Sequence, residues 1–103
     1  MSRTRLDDAQ LAEALENLSL WAVQEGKLHR AYAFTDFLVA FQWMTRVAEE
    51  AERLCHHPDW SNVYNRVIVD LWTHDRDGIT ELDVALAGFM ESTFEALAGS
   101  DED

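Results

Sequence analysis

Basic residues are scarce in this chain. Eight Lys and Arg stand against 20 Asp and Glu, a formal charge of −12 over 103 residues. Proteins that hold nucleic-acid backbone need clustered cations to displace its counterions, so no nucleic-acid role is expected. Cysteine occurs once, as Cys55, which excludes an intrachain disulfide framework. Proline also occurs once, as Pro58, and no repeat or low-complexity linker divides the chain. No apolar run approaches the roughly 20 residues of a membrane-spanning helix. Residues 1–10 lack the apolar core of a signal peptide. These absences predict one cytoplasmic domain over residues 1–103, with no membrane contact and with 1–6 and 100–103 frayed.

Apolar mass is plentiful. Hydrophobic residues make up 48% of the chain, with four Trp and five Phe. A chain of this size buries only about two-thirds of its unfolded surface, so this supply can form a core and leave some for a subunit interface.

Periodicity places the elements. Residues 7–18 read as a helix with Leu11, Leu15 and Leu18 on one side. Residues 21–24 and 28–34 read as strands around a turn at 25–27. Leu28, Tyr32 and Phe34 share a face, which Arg30 interrupts. Thr35 is the expected cap of a long helix whose apolar stripe runs through Phe37, Ala40, Phe41, Met44, Val47, Ala48, Ala51 and Leu54. Val39 and Trp43 fall off that stripe and are the candidates for an exposed protein contact. Strands follow at 61–64 and 67–73 around a turn at Asn65-Arg66. A last helix starts at Thr80, with Asp83 completing a capping box, and ends at Gly99. Leu82, Ala85, Leu86, Phe89 and Leu97 form its apolar face. The order predicts an α+β domain: a four-stranded antiparallel sheet with three helices on one face.

Three of the four histidines, His56, His57 and His74, fall in one stretch near the middle. Imidazole is the side chain whose ordinary pKa suits proton transfer near neutrality. His56 and His57 follow the long helix, whose C-terminal dipole favours a protonated ring. Adjacent helical residues diverge by about 100°, so the two rings share a site only if the backbone turns, as Pro58 allows. Trp72 and His74 alternate onto one strand face roughly 7 Å apart, an aromatic plate beside an imidazole.

Rival chemistries fit less well. His56, His57, His74 and Glu52 could supply zinc ligands, but adjacent histidines rarely share one ion and no His-Glu-x-x-His motif is present, so no metal is expected. Asp75-Arg76-Asp77-Gly78 fails as a calcium loop, because its register puts Thr73 and Val84 where acids belong. Cys55 sits where the helix dipole disfavours a thiolate nucleophile.

The same residues resemble a known family. The segments Glu52-Arg53-Leu54-Cys55-His56-His57-Pro58-Asp59-Trp60, Asn62-Val63-Tyr64-Asn65-Arg66-Val67 and Leu71-Trp72-Thr73-His74 are similar to the signature of the pterin-4a-carbinolamine dehydratases. Trp21, Phe34-Thr35-Asp36-Phe37 and Phe41 to Ala48 precede it, and Gly78-Ile79-Thr80, Asp83 and Leu86-Ala87 continue it.

The resemblance implies a hydro-lyase that removes water from 4a-hydroxytetrahydropterin, regenerating the pterin used in aromatic amino-acid hydroxylation. It makes His56, His57 and His74 catalytic and leaves acid and base unassigned among them. Glu52, Cys55, Pro58, Trp60, Trp72, Thr73 and Asp75 would contact substrate or support those that do. No cofactor is implied, since the pterin is the substrate. Homodimers or homotetramers built through the long helix are implied too, with Val39 and Trp43 as interface candidates. The alternative is a weakly active or inactive binding protein of the same fold, serving as a dimerisation or assembly cofactor, for example in RuBisCO assembly. Two departures stand out: Cys55 replaces an acid found in some members, and Gly78 is single where a glycine pair is common.

Overall fold

The computed structural model describes residues 2–99. Its elements are α1 (Asp8–Leu15), β1 (Ala22–Gln24), β2 (Lys27–Ala33), α2 (Phe37–Leu54), β3 (Asp59–Val63), β4 (Arg66–Leu71) and α3 (Glu81–Gly99), with a 3₁₀ turn at His74–Arg76. The four strands form one antiparallel sheet in the order β1-β2-β4-β3. This is the α+β architecture expected. The predicted tail at 100–103 lies outside the described residues.

Alternation sets the two faces of the sheet. Leu28 and Tyr32 of β2 and Val67, Val69 and Leu71 of β4 are buried, while Ala31, Ala33 and Ile68 between them are exposed. α2 and α3 pack on each other, and α2 also touches β4. Tyr32 stands at the centre of this core, its ring 4.6 Å from Trp43 and 5.0 Å from Phe94. Burial and the neighbouring Glu91 push the Tyr32 phenol far above its ordinary value, so it stays neutral.

The face of α2 that meets the core differs from the predicted stripe. Ala40, Trp43, Val47 and Ala51 are buried, whereas Phe37, Phe41 and Ala48 are exposed. Trp43, expected at an interface, is fully buried, and Val39 is half-buried against the core. Trp43 meets the cost of burying its indole N–H by donating it to Met90 O at 3.0 Å. The apolar surface left outside α2 is Phe37, Leu38 and Phe41.

Smaller shifts have local causes. Asp36 rather than Thr35 caps α2, its carboxylate accepting Val39 N–H at 2.9 Å. The second hairpin turns at Tyr64-Asn65, one residue early, with Tyr64 at φ 51°. Asn62 Nδ2 bridges Tyr64 O and Arg66 O there, and Asn65 Nδ2 donates to Phe34 O at 2.9 Å. Residues 2–6, expected to fray, are tied down: Leu6 N–H donates to Ile79 O at 2.9 Å and Ser2 N–H to Glu81 Oε2 at 3.0 Å.

Candidate active site

The site is built where α2 stops. Cys55 takes a left-handed conformation, φ 51° and ψ 40°. His56 N–H then reaches back to Ala51 O at 3.0 Å and Cys55 N–H to Glu52 O at 3.1 Å, closing the helix in a Schellman-type cap. The backbone turn that both imidazoles require is therefore made at Cys55, one step before the histidines and ahead of Pro58. A non-glycine residue at positive φ costs of order 1–3 kcal/mol, held here by the surrounding fold.

After that turn the two rings part. His56 is buried, and its Nε2 lies 2.5 Å from Asp83 Oδ1. His57 is exposed, and its Nε2 meets Glu52 Oε1 at 2.8 Å. A carboxylate accepts, so Nε2 of each ring carries a proton and Nδ1 is left with the lone pair in the neutral tautomer.

Asp83 is the best-held group of the site. It is fully buried in the first turn of α3. Its Oδ2 accepts Thr80 N–H at 2.9 Å and Thr73 Oγ1 at 2.9 Å, while Thr73 and Thr80 hydroxyls meet at 2.7 Å. Leu82 N–H donates to Thr80 Oγ1 at 3.2 Å, so the predicted Thr80/Asp83 cap forms. One carboxylate thus starts α3, pins the end of β4 and orients His56. The Thr-x-x-Asp spacing marks the cap in the sequence, but nothing local marks its bond to a histidine 27 residues earlier.

His74 opens the 3₁₀ turn after β4 and is exposed. Its ring stacks on Trp72 with centroids 4.2 Å apart and planes 7° from parallel. Lys27 Nζ stands 4.0 Å from the Trp72 ring centroid. Thr73, between them in sequence, points into the core toward Asp83. The next residue, Asp75, is ion-paired with Arg3, and that bond holds its carboxyl below the usual carboxylate range.

A cavity of about 520 Å³ joins these parts. His56, His57 and His74 line it, with Cys55, Pro58 and Asp75 from the predicted set, and with Asp59 and Arg3 besides. Its size suits a small heterocycle. Glu52 is bonded to His57, Thr73 to Asp83, and Trp72 stacks on His74; none of the three lines the cavity. Trp60 packs instead toward Trp43, ring centroids 6.1 Å apart. A larger groove of about 620 Å³ between α1 and α3, lined by Leu6, Gln10 and Val84 among others, contains neither histidine nor cysteine. Among the described residues, no three His, Cys, Asp or Glu side chains are grouped as metal ligands, and no helix is long and apolar enough to cross a membrane.

Comparison with known proteins bears on the family and the fold. The sequence profile of the pterin 4 alpha carbinolamine dehydratase family matches residues 4–93. A relative from Solibacter usitatus is 48% identical over 89 residues, covering 86% of this chain and 94% of its own length. One from a Synechococcus strain is 55% identical over 81 residues, covering 78% and 87%. Both bear the name pterin-4-alpha-carbinolamine dehydratase in provisional form. A crystal structure from Brucella melitensis, titled a transcriptional coactivator/pterin dehydratase, superposes with a TM-score of 0.85 at 41% identity, covering 87% of this chain and 98% of that one. With a profile match across most of its length and relatives near half identity, the chain belongs to the pterin 4 alpha carbinolamine dehydratase family.

Proposed function

We propose that this protein dehydrates 4a-hydroxytetrahydropterin to quinonoid dihydropterin and water, with His56, His57 and His74 sharing the acid and base work. The observation that carries this reading is the meeting of three imidazoles on one cavity, with His56 held by a buried carboxylate.

The chemistry asks little else. The bond from carbon 4a to the hydroxyl oxygen breaks as the adjacent ring nitrogen's lone pair forms a C=N bond. The departing hydroxyl takes a proton and leaves as water, and the nitrogen gives its proton to a base. A protonated imidazole and a neutral one, both in reach of the bound ring, serve these two transfers; each positioned group typically contributes ~10²–10⁴-fold. Neither a covalent intermediate nor a resident cofactor enters this scheme.

The test uses enzymatically generated 4a-hydroxytetrahydropterin and compares wild type with a His57→Ala/His74→Ala double variant. Both side chains are exposed, so the variant should keep its fold by circular dichroism. Acceleration by wild type that falls at least 10²-fold in the folded variant is expected. A folded wild type that accelerates nothing would sink the reading and leave a binding protein of this fold.

One observation favours a protein contact as well. Phe37, Leu38 and Phe41 expose 43%, 72% and 53% of their surfaces on the outside of α2, a patch that water disfavours. Self-association through this face, giving a dimer or tetramer, follows. Sedimentation of the chain at micromolar concentration tests it: a monomer removes the proposal.

A further inference from the structure

The chain ahead of α1 reaches the cavity through Arg3. Leu6 is bonded to Ile79 and Ser2 to Glu81. Between them Arg5 lies over Gly78 so closely that a Cβ there would fall 2.6 Å from Arg5 Nε. The segment is thereby laid along residues 78–81 and delivers Arg3 to the rim, beside Asp75 and His74.

Arg3 is the one Lys or Arg among the residues lining that cavity. Asp75 engages its Nη2. Among the described residues no other partner is recorded for the guanidinium, so its other N–H groups are available at the mouth of the cavity. A guanidinium presents its donors in a planar fork, matched to two in-plane acceptors. In a tetrahydropterin the ring nitrogens flanking the carbonyl carry protons, so the acceptors offered in that plane are the two lone pairs of the carbonyl oxygen.

We propose that Arg3 is a further substrate-binding residue, whose fork, aimed by Asp75, takes the carbonyl edge of the pterin and fixes how the ring lies against His57 and His74. The inference rests on the dehydratase reading for its substrate. It assigns Arg3 a binding role only, because a guanidinium keeps its proton throughout and cannot serve as acid or base.

That restriction shapes the test. In steady-state dehydration, Arg3→Ala should raise KM about tenfold and leave kcat within about twofold, the loss of one good contact. Arg3→Lys should recover part of the KM, since an ammonium donates but lacks the fork. Quenching of intrinsic fluorescence by an oxidised pterin, which cannot be dehydrated, should show the same weakening in Arg3→Ala. Arg3 is partly exposed and outside every helix and strand, so its replacement leaves the fold intact. An active wild type whose Arg3→Ala variant keeps its KM and its affinity for oxidised pterin overturns the inference alone. A fall in kcat at constant KM overturns it too, and assigns Arg3 to holding His74 through Asp75. Wild type that binds oxidised pterin in an Arg3-dependent way but dehydrates nothing keeps Arg3 and removes the dehydratase reading. Failure to bind or turn over removes both.

Discussion

Asp83 and Glu91 lie about two turns apart on α3, and each gathers three hydrogen-bond donors. Glu91 Oε1 accepts from Trp21 Nε1 at 2.9 Å, Arg30 Nε at 2.9 Å and Tyr32 Oη at 2.7 Å. By connectivity the two look alike. They differ in what they hold. An indole, a guanidinium and a neutral phenol keep their protons across the physiological range, so the Glu91 cluster can only brace β2 against α3. Asp83 holds an imidazole, and that imidazole lines a cavity with two more. Of the two networks, only that of Asp83 includes a group that can exchange a proton and also lines a cavity, as the proposed dehydration requires.

Asp83→Asn is the strongest way to break the comparison. The amide keeps the size and can still accept from Thr80 N–H through its oxygen. The same oxygen keeps Thr73 Oγ1, so the new NH2 faces His56 Nε2 in place of Oδ1, and the charge that orients the ring is lost. A kcat reduced about 10²–10³-fold is expected, by analogy with other carboxylate-to-amide changes behind an imidazole. The stability loss should be about 1–3 kcal/mol, the cost of one misplaced buried partner. Kinetics and thermal melts on the same preparation check both. An active variant would make Asp83 a helix cap and nothing more.

How far this contrast is visible in the chain itself depends on the range of the interactions. The strands and α3's cap rest on neighbours within a few residues, and alternation or Thr80-x-x-Asp83 reveals them. The histidines declare themselves by type. The rotation of α2 does not, because apolar residues occupy Phe37, Leu38, Val39, Ala40, Phe41, Trp43 and Met44, an arc too wide for periodicity to choose its inner edge. Trp43 goes inside through partners remote in sequence: its indole N–H donates to Met90 O, and its ring packs against Tyr32 and Trp60. Arg30 interrupts its strand pattern in sequence because its partner, Glu91, lies 61 residues away. Arg3 escapes notice for the same reason, and its segment reads as loose until Ile79, Glu81 and Gly78 are seen to hold it.

Glu91→Gln sharpens the comparison from the other side, with a smaller effect and of a different kind. Folded variant should keep kcat within about twofold, because no cavity histidine touches Glu91. Stability should fall by about 1–3 kcal/mol, since Arg30, whose side chain is only 10% exposed, loses its counter-charge. Acid gives the sign. Burial alone would raise the Glu91 pKa, but the hydrogen bonds from Tyr32 and Arg30 outweigh it and hold it below the ordinary 4.5. A carboxylate depressed in the folded state contributes stability above its unfolded pKa and loses it as pH falls through the folded value. The gap in melting temperature between wild type and Glu91→Gln should therefore be full at pH 6 and narrow progressively below about pH 4.5. A gap that persists unchanged at pH 3 would mean that shape, not charge, is what Glu91 supplies to Trp21, Arg30 and Tyr32.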